Sequence, residues 1–116
     1  MCELLWSDPD DINDWDSNPR GAGVIFGKKI VDKFLQINAI EYIVRAHQLI
    51  MEGHKSHFDG KLYTVWSAPN YCYRCNNLAS IMKLDGSLQK NFLTFKAANE
   101  DYGPAPKKKE LPDYFL

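Results

Sequence analysis

What the chain has little of narrows its class first. Three cysteines occur among 116 residues, Cys2, Cys72 and Cys75. That is an odd number with no secretion signal ahead of it, so reduced thiols are expected rather than a disulfide framework. A second cysteine pair is missing, which leaves Cys72-x-x-Cys75 short of the four ligands of a structural zinc site. A β-prone run follows it, where a redox dithiol would open a helix. Long apolar runs are absent as well. Nothing approaches the roughly 20 residues of a membrane span, and no basic segment leads into an apolar stretch at the N-terminus. Charge of one sign is equally scarce: the net charge is −1, so no overall field draws the chain to nucleic acid or to an anionic membrane, and neither is expected as a partner. The chain reads as a soluble intracellular protein, with 45% apolar residues to build a core.

The segments that are present can be taken in order. Cys2 to Trp6 reads as a short buried strand. An irregular acidic loop follows, with carboxylates at Asp8, Asp10, Asp11 and Asp14. It lacks the glycine and closing glutamate of a calcium loop, so a solvated loop is expected. Asn18 to Gly27 is rich in glycine and carries Arg20 at its base. Small residues let a backbone approach a ligand, and a guanidinium grips phosphate with two parallel hydrogen bonds; an arginine in such a loop is equally readable as a plain surface residue. Lys28 to Ala39 has the spacing of an amphipathic helix, with Ile30, Val31, Phe34, Leu35 and Ile37 against lysines and Asp32. Glu41 to Ala46 is a short β-branched stretch ending at His47, a residue open to a hydrogen-bonded structural role or to metal ligation. His54 and His57 sit three apart on an extended run and so face opposite sides of a sheet, which suits packing better than a shared ion. Asp59-Gly60 is a hairpin dipeptide that would pair His54–Phe58 antiparallel with Leu62–Ser67. Asp85-Gly86 would do the same for Leu78–Leu84 and Leu88–Phe95.

Between two of these strands lies Ser67-Ala68-Pro69-Asn70-Tyr71-Cys72-Tyr73-Arg74-Cys75, a loop dense in phenol, guanidinium and thiol groups. A loop held on a rigid sheet is where sites tend to be built. Past Ala98 the composition shifts to Gly, Pro and Lys, a flexible tail that cannot bury apolar surface. It ends in Pro112-Asp113-Tyr114-Phe115-Leu116, apolar enough to dock on a partner.

The loop SAPNYCYRC, with Arg45-Ala46-His47-Gln48, Ser17-Asn18-Pro19-Arg20-Gly21-Ala22-Gly23 and the terminal Pro112-Asp113-Tyr114-Phe115-Leu116, resembles the phosphoprotein phosphatase family, closest to its type 2A, 4 and 6 catalytic subunits. The resemblance runs along nearly the whole chain but matches only the C-terminal part of that family's catalytic domain. It implies an α/β fold, the C-terminal part of a calcineurin-like metallophosphatase β-sandwich, here an α+β-like fragment with one amphipathic helix and several mostly antiparallel strands. Residues 1–98 would be the incomplete catalytic domain and 99–116 the regulatory tail.

The function implied is hydrolysis of phosphoserine and phosphothreonine esters on proteins with two divalent metal ions of the Mn, Fe or Zn type. Arg20 matches the arginine that binds the substrate phosphate, and His47 the histidine that ligates one metal. Tyr71, Cys72 and Arg74 match the loop that contacts substrate and inhibitors. Tyr114 and Leu116 match the tail positions that are phosphorylated and carboxymethylated. The GDxHG, GDxVDRG and GNHE motifs that supply the other ligands and the general acid are not in this sequence, so one expected ligand is present and the chain is expected to be inactive alone. Implied partners are phosphoprotein substrates, scaffold and regulatory subunits, and tail-modifying enzymes, in the cytoplasm and the nucleus. The chief alternative is a non-catalytic binding module carrying the regulatory tail. Asn76 departs from the family, which has Gly there; Asn is the residue that best replaces Gly in a left-handed turn.

Overall fold

The computed structural model describes residues 1–98; the tail, with Tyr114 and Leu116, lies outside the described residues. Two compact units form, one from Met1–Gln48 and Ser56–Thr64, the other from Leu49–Lys55 and the described residues from Val65 onward.

The first unit begins with helix α1 (Cys2–Trp6), where the apolar pattern suggested a buried strand. Leu5 and Ser7 N–H groups donate to the Met1 and Glu3 carbonyls, and Leu4 and Leu5 are exposed rather than buried. So short an apolar run carries no period that separates helix from strand, and Glu and Leu are good helix formers. Asp8 then starts a two-residue strand, β1 (Asp8–Pro9), which pairs parallel with β3 (Val24–Phe26); β2 (Trp15–Ser17) pairs antiparallel on the other edge of β3. The expected acidic loop is thus partly ordered, and it is not uniformly solvated: Asp10, Asp11 and Asp14 are exposed, whereas Asp8 is 5% exposed.

Two close approaches fix the glycine-rich stretch. Gly23, at φ +69°, lies so near the Trp6–Ser7 peptide that a Cβ would come within 2.6 Å of the Trp6 carbonyl carbon. A Cβ on Gly27 would overlap the Ile12 carbonyl outright. Gly27 also caps helix α2 (Lys28–Asn38), whose apolar stripe buries Val31 and Leu35. Ala39 ends the helix in the left-handed conformation, φ 52°, with its N–H on the Gln36 carbonyl and the Ile40 N–H on the Leu35 carbonyl, the two bonds of a Schellman stop. Val31 and Leu35 pack with Leu62 and with the half-buried Phe26, Ile43 and Phe58 to make the core. Leu62 comes from β6 (Leu62–Val65), the centre of a three-stranded sheet ordered β4 (Ile43–Arg45), β6, β5 (His54–His57); β4 runs parallel to β6. His57 Nε2 meets the buried Thr64 hydroxyl at 3.0 Å.

The second unit holds the expected antiparallel hairpin of β7 (Ala79–Leu84) and β8 (Lys90–Phe95); Leu84 pairs with Lys90, so the connection runs over residues 85–89 rather than through Asp85-Gly86 alone. Leu78 N–H donates to the Met51 carbonyl, Trp66 N–H to that of Gly53, and Ser80 N–H to that of Trp66. His54 stacks on Phe92 with ring centroids 4.2 Å apart, so His54 and His57 take separate packing roles. No helix among the described residues is long and apolar enough to cross a membrane.

Candidate phosphate and metal site

The first unit gathers the residues that carry chemistry around one carboxylate. β1 ends the chain's turn out of α1 and seats Asp8 beside β3, while the loop entering β3 brings Asn18 and Arg20 and the end of β4 brings Arg45. Asp8 Oδ2 accepts from Arg20 Nε at 2.8 Å and from Asn18 Nδ2 at 3.0 Å. Asp8 Oδ1 accepts from Arg45 Nη2 at 2.8 Å. Arg45 is further tied to the Ser7 carbonyl and to Gln48 Oε1, and Asn18 Oδ1 accepts the Arg20 backbone N–H. Burial raises the Asp8 carboxyl, but hydrogen bonds from Asn18, Arg20 and Arg45 and the charge on Arg20 outweigh it and hold the group below the ordinary carboxylate range. Two guanidiniums against one carboxylate leave this half-buried region with an excess positive charge, an environment that favours an anion.

His47 follows β4 in the left-handed conformation, φ 78°. Its ring stands edge-on to Trp6, centroids 5.2 Å apart, and its Nε2 is buried with no hydrogen-bond partner. Burial, then the charge on Arg20, push the imidazole below its usual value, with Asp8 pulling the other way and Arg45 adding a smaller push, so the neutral form is favoured near pH 7. A neutral imidazole with an unsatisfied nitrogen is the donor a divalent transition metal takes.

In the second unit the Ser67–Cys75 loop is tied by Asn77, 2% exposed. Its Nδ2 donates to the Ala68 and Leu78 carbonyls and its Oδ1 accepts the Tyr71 N–H. Tyr71 packs edge-on against Trp66, centroids 4.8 Å apart, and burial, with smaller contributions from Cys72 and Cys75, raises its phenol. Asn70, Cys72, Tyr73 and Asn76 all adopt positive φ. Asn76, φ 53°, therefore keeps the left-handed turn expected of the family's glycine. Cys72 and Cys75 are free thiols.

No protein-family model matches the chain. The serine/threonine-protein phosphatase 4 catalytic subunit of Saccharomyces cerevisiae is 56% identical over 120 residues, which take in all of this chain and 39% of that protein. The subunits of the same name from Candida glabrata and Eremothecium gossypii are 52% and 56% identical over the same extents. Among solved structures, a protein serine/threonine phosphatase from Saccharomyces cerevisiae with similarity to human phosphatase PP5 superposes with a TM-score of 0.76 at 35% identity, covering 84% of this chain and 34% of that one. The chain belongs to the phosphoprotein phosphatase family. Its relatives place it in the type 2A/4/6-like group, and it spans about two-fifths of the length of the curated relatives it matches.

Of the site residues expected for a phosphatase of this group, Arg20 and His47 lie in the first unit, close enough for the Arg20 charge to act on the imidazole. Tyr71, Cys72 and Arg74 lie together in the second unit, Arg74 exposed and the other two half-buried. Tyr114 and Leu116 fall outside the described residues. Sequence reading missed Asp8, Asn18 and Arg45. Arg45 was part of the matching motif but drew no role of its own, and Asp8 was grouped with its solvated neighbours.

Proposed function

We propose that this chain is the C-terminal portion of a protein serine/threonine phosphatase catalytic subunit acting on phosphoserine and phosphothreonine in proteins. The observation that carries the reading is the Asp8–Arg20–Arg45 cluster with its excess positive charge, next to a histidine whose Nε2 is buried and unpartnered. His47 fits as one ligand of a divalent metal. Among the described residues no group of three or more His, Cys, Asp and Glu could hold a metal ion, so the remaining ligands of a two-metal centre of the Mn, Fe or Zn type would come from the portion of the catalytic subunit that this chain does not span. Divalent ions, when bound, supply Lewis-acid polarisation of the phosphoryl group and acidify water.

The chain's own residues bind and orient. Arg20 takes the phosphoryl oxygens with charge-assisted hydrogen bonds and neutralises charge that grows during transfer. Neutral His47 presents its nitrogen. Tyr71, Cys72 and Arg74, on their own loop, contact substrate. Tyr114 and Leu116 receive tail-modifying enzymes, and scaffold and regulatory subunits bind the assembled catalytic subunit in the cytoplasm and nucleus.

The test splices this chain in place of the matched segment of the Saccharomyces cerevisiae subunit and follows release of phosphate from a phosphoserine peptide. Arg20→Ala and His47→Ala should each lower kcat/KM by on the order of 10²–10³, and the 116-residue chain by itself should release none. Undiminished turnover in both variants would sink the reading.

A further inference from the structure

A carboxylate beside a phosphate-binding arginine is at first sight a mistake, because it cancels the charge that attracts the ligand. The geometry around Asp8 resolves this. Its side chain is 7% exposed, and its two oxygens are divided: Oδ1 goes to Arg45, while Oδ2 goes to Arg20 Nε and Asn18 Nδ2. Arg45 is itself fixed from two further sides by the Ser7 carbonyl and Gln48, so its charge offsets that of Asp8. Arg20 is held through Nε and through its own backbone N–H on Asn18. An arginine loses side-chain entropy when a ligand immobilises it; one already held at Nε loses less, which is how preorganisation raises affinity.

We propose that Asp8 is a positioning residue for the phosphate site, orienting the Arg20 guanidinium through Nε while Arg45 offsets the carboxylate's charge. The proposal rests on the reading of Arg20 as the phosphate-binding arginine. It makes a prediction opposite in sign to simple electrostatics. Asp8→Asn adds one positive charge to the site, so Coulomb attraction alone would tighten phosphate binding. Loss of positioning weakens it, since the new amide keeps one acceptor oxygen and sets its NH2 where the other accepted, so the Arg20 and Arg45 donors can no longer both be satisfied.

The experiment titrates inorganic phosphate into the full 116-residue chain and reads arginine Nε–H resonances together with the backbone amides by NMR. In the unmodified chain the Arg20 Nε–H signal, assigned through its loss in Arg20→Gln, should shift with phosphate. Asp8→Asn should move that signal in the phosphate-free chain and weaken binding about tenfold, with dispersed backbone amides retained. Unchanged or tighter binding overturns the proposal. If Asp8→Asn loses its dispersed amides, Asp8→Glu decides: it keeps the charge but displaces the carboxylate by one methylene. Weaker binding in Asp8→Glu sustains positioning, and wild-type affinity overturns it. Arg20→Gln separates the two levels. Phosphate binding that survives Arg20→Gln, or no binding by the unmodified chain, sinks the site reading and the proposal with it. Loss in Arg20→Gln with full binding in Asp8→Asn sinks only the positioning role.

Discussion

Single residues in this chain do more than their neighbours suggest, and His47 and Asn77 show how. A non-glycine residue at φ 78° sits in a region that costs on the order of 1–3 kcal/mol; the Trp6 contact and the strand before it hold it there. Asn77 makes three side-chain hydrogen bonds inside the second unit. Asn77→Ala should therefore lower stability by about 2–3 kcal/mol, read as a fall in the urea midpoint and as faster amide exchange at Tyr71. Asp8 sets the acid limit. Its folded value lies below that of the unfolded chain, so its contribution is complete above the unfolded carboxylate range near pH 4 and is lost as pH falls through the depressed folded value. Urea midpoints taken from pH 5 down to pH 2 should show this loss in the unmodified chain and a shallower one in Asp8→Asn.

At the scale of elements, α2 carries the first unit's core and both its ends are testable. Ala39 occupies the left-handed stop of a Schellman motif, where an L side chain costs about 1 kcal/mol. Ala39→Gly should raise stability by up to that amount in thermal unfolding. Gly27→Ala, forced against the Ile12 carbonyl, should cost more than about 2 kcal/mol and lower the melting temperature accordingly. These elements also show what could be read from sequence. The helix was legible because its apolar residues recur with one period, and the hairpin of β7 and β8 because a polar Asp-Gly pair punctuates two β-prone runs, although its connection is longer than that pair. Helix α1 was not, since five residues carry no period. Asp8 was not, because its burial depends on arginines 12 and 37 positions away, and nothing local distinguishes it from Asp10 or Asp11. Arg20 and His47 were legible only through their motifs; the residues by themselves left each role open.

For the whole molecule the telling fact is apolar surface. Helices α1 and α2 with β3 and β4 line a cavity of about 450 Å³ in the first unit, with Leu4, Val24, Phe26, Ile30, Phe34 and Ile43 on its walls. Leu4 is 72% exposed. Exposed apolar patches of this kind bind apolar probes. The folded chain should therefore enhance the fluorescence of a hydrophobic dye at temperatures below its unfolding transition. Leu4→Glu combined with Phe34→Glu should cut that enhancement by about half, because two walls then carry charge that resists desolvation; an undiminished signal would place the dye elsewhere.

The left-handed residues of the 67–75 loop have a consequence for how the chain is cut. Proteases thread their substrates as extended strands, and exposed loop tips are ordinarily their first targets. Arg74 is exposed and is a trypsin site by residue type, yet Cys72 and Tyr73 before it sit at φ 57° and 58°, a curl that does not fit an extended cleft. The Arg74–Cys75 bond should resist trypsin in the native chain and yield once urea straightens the loop.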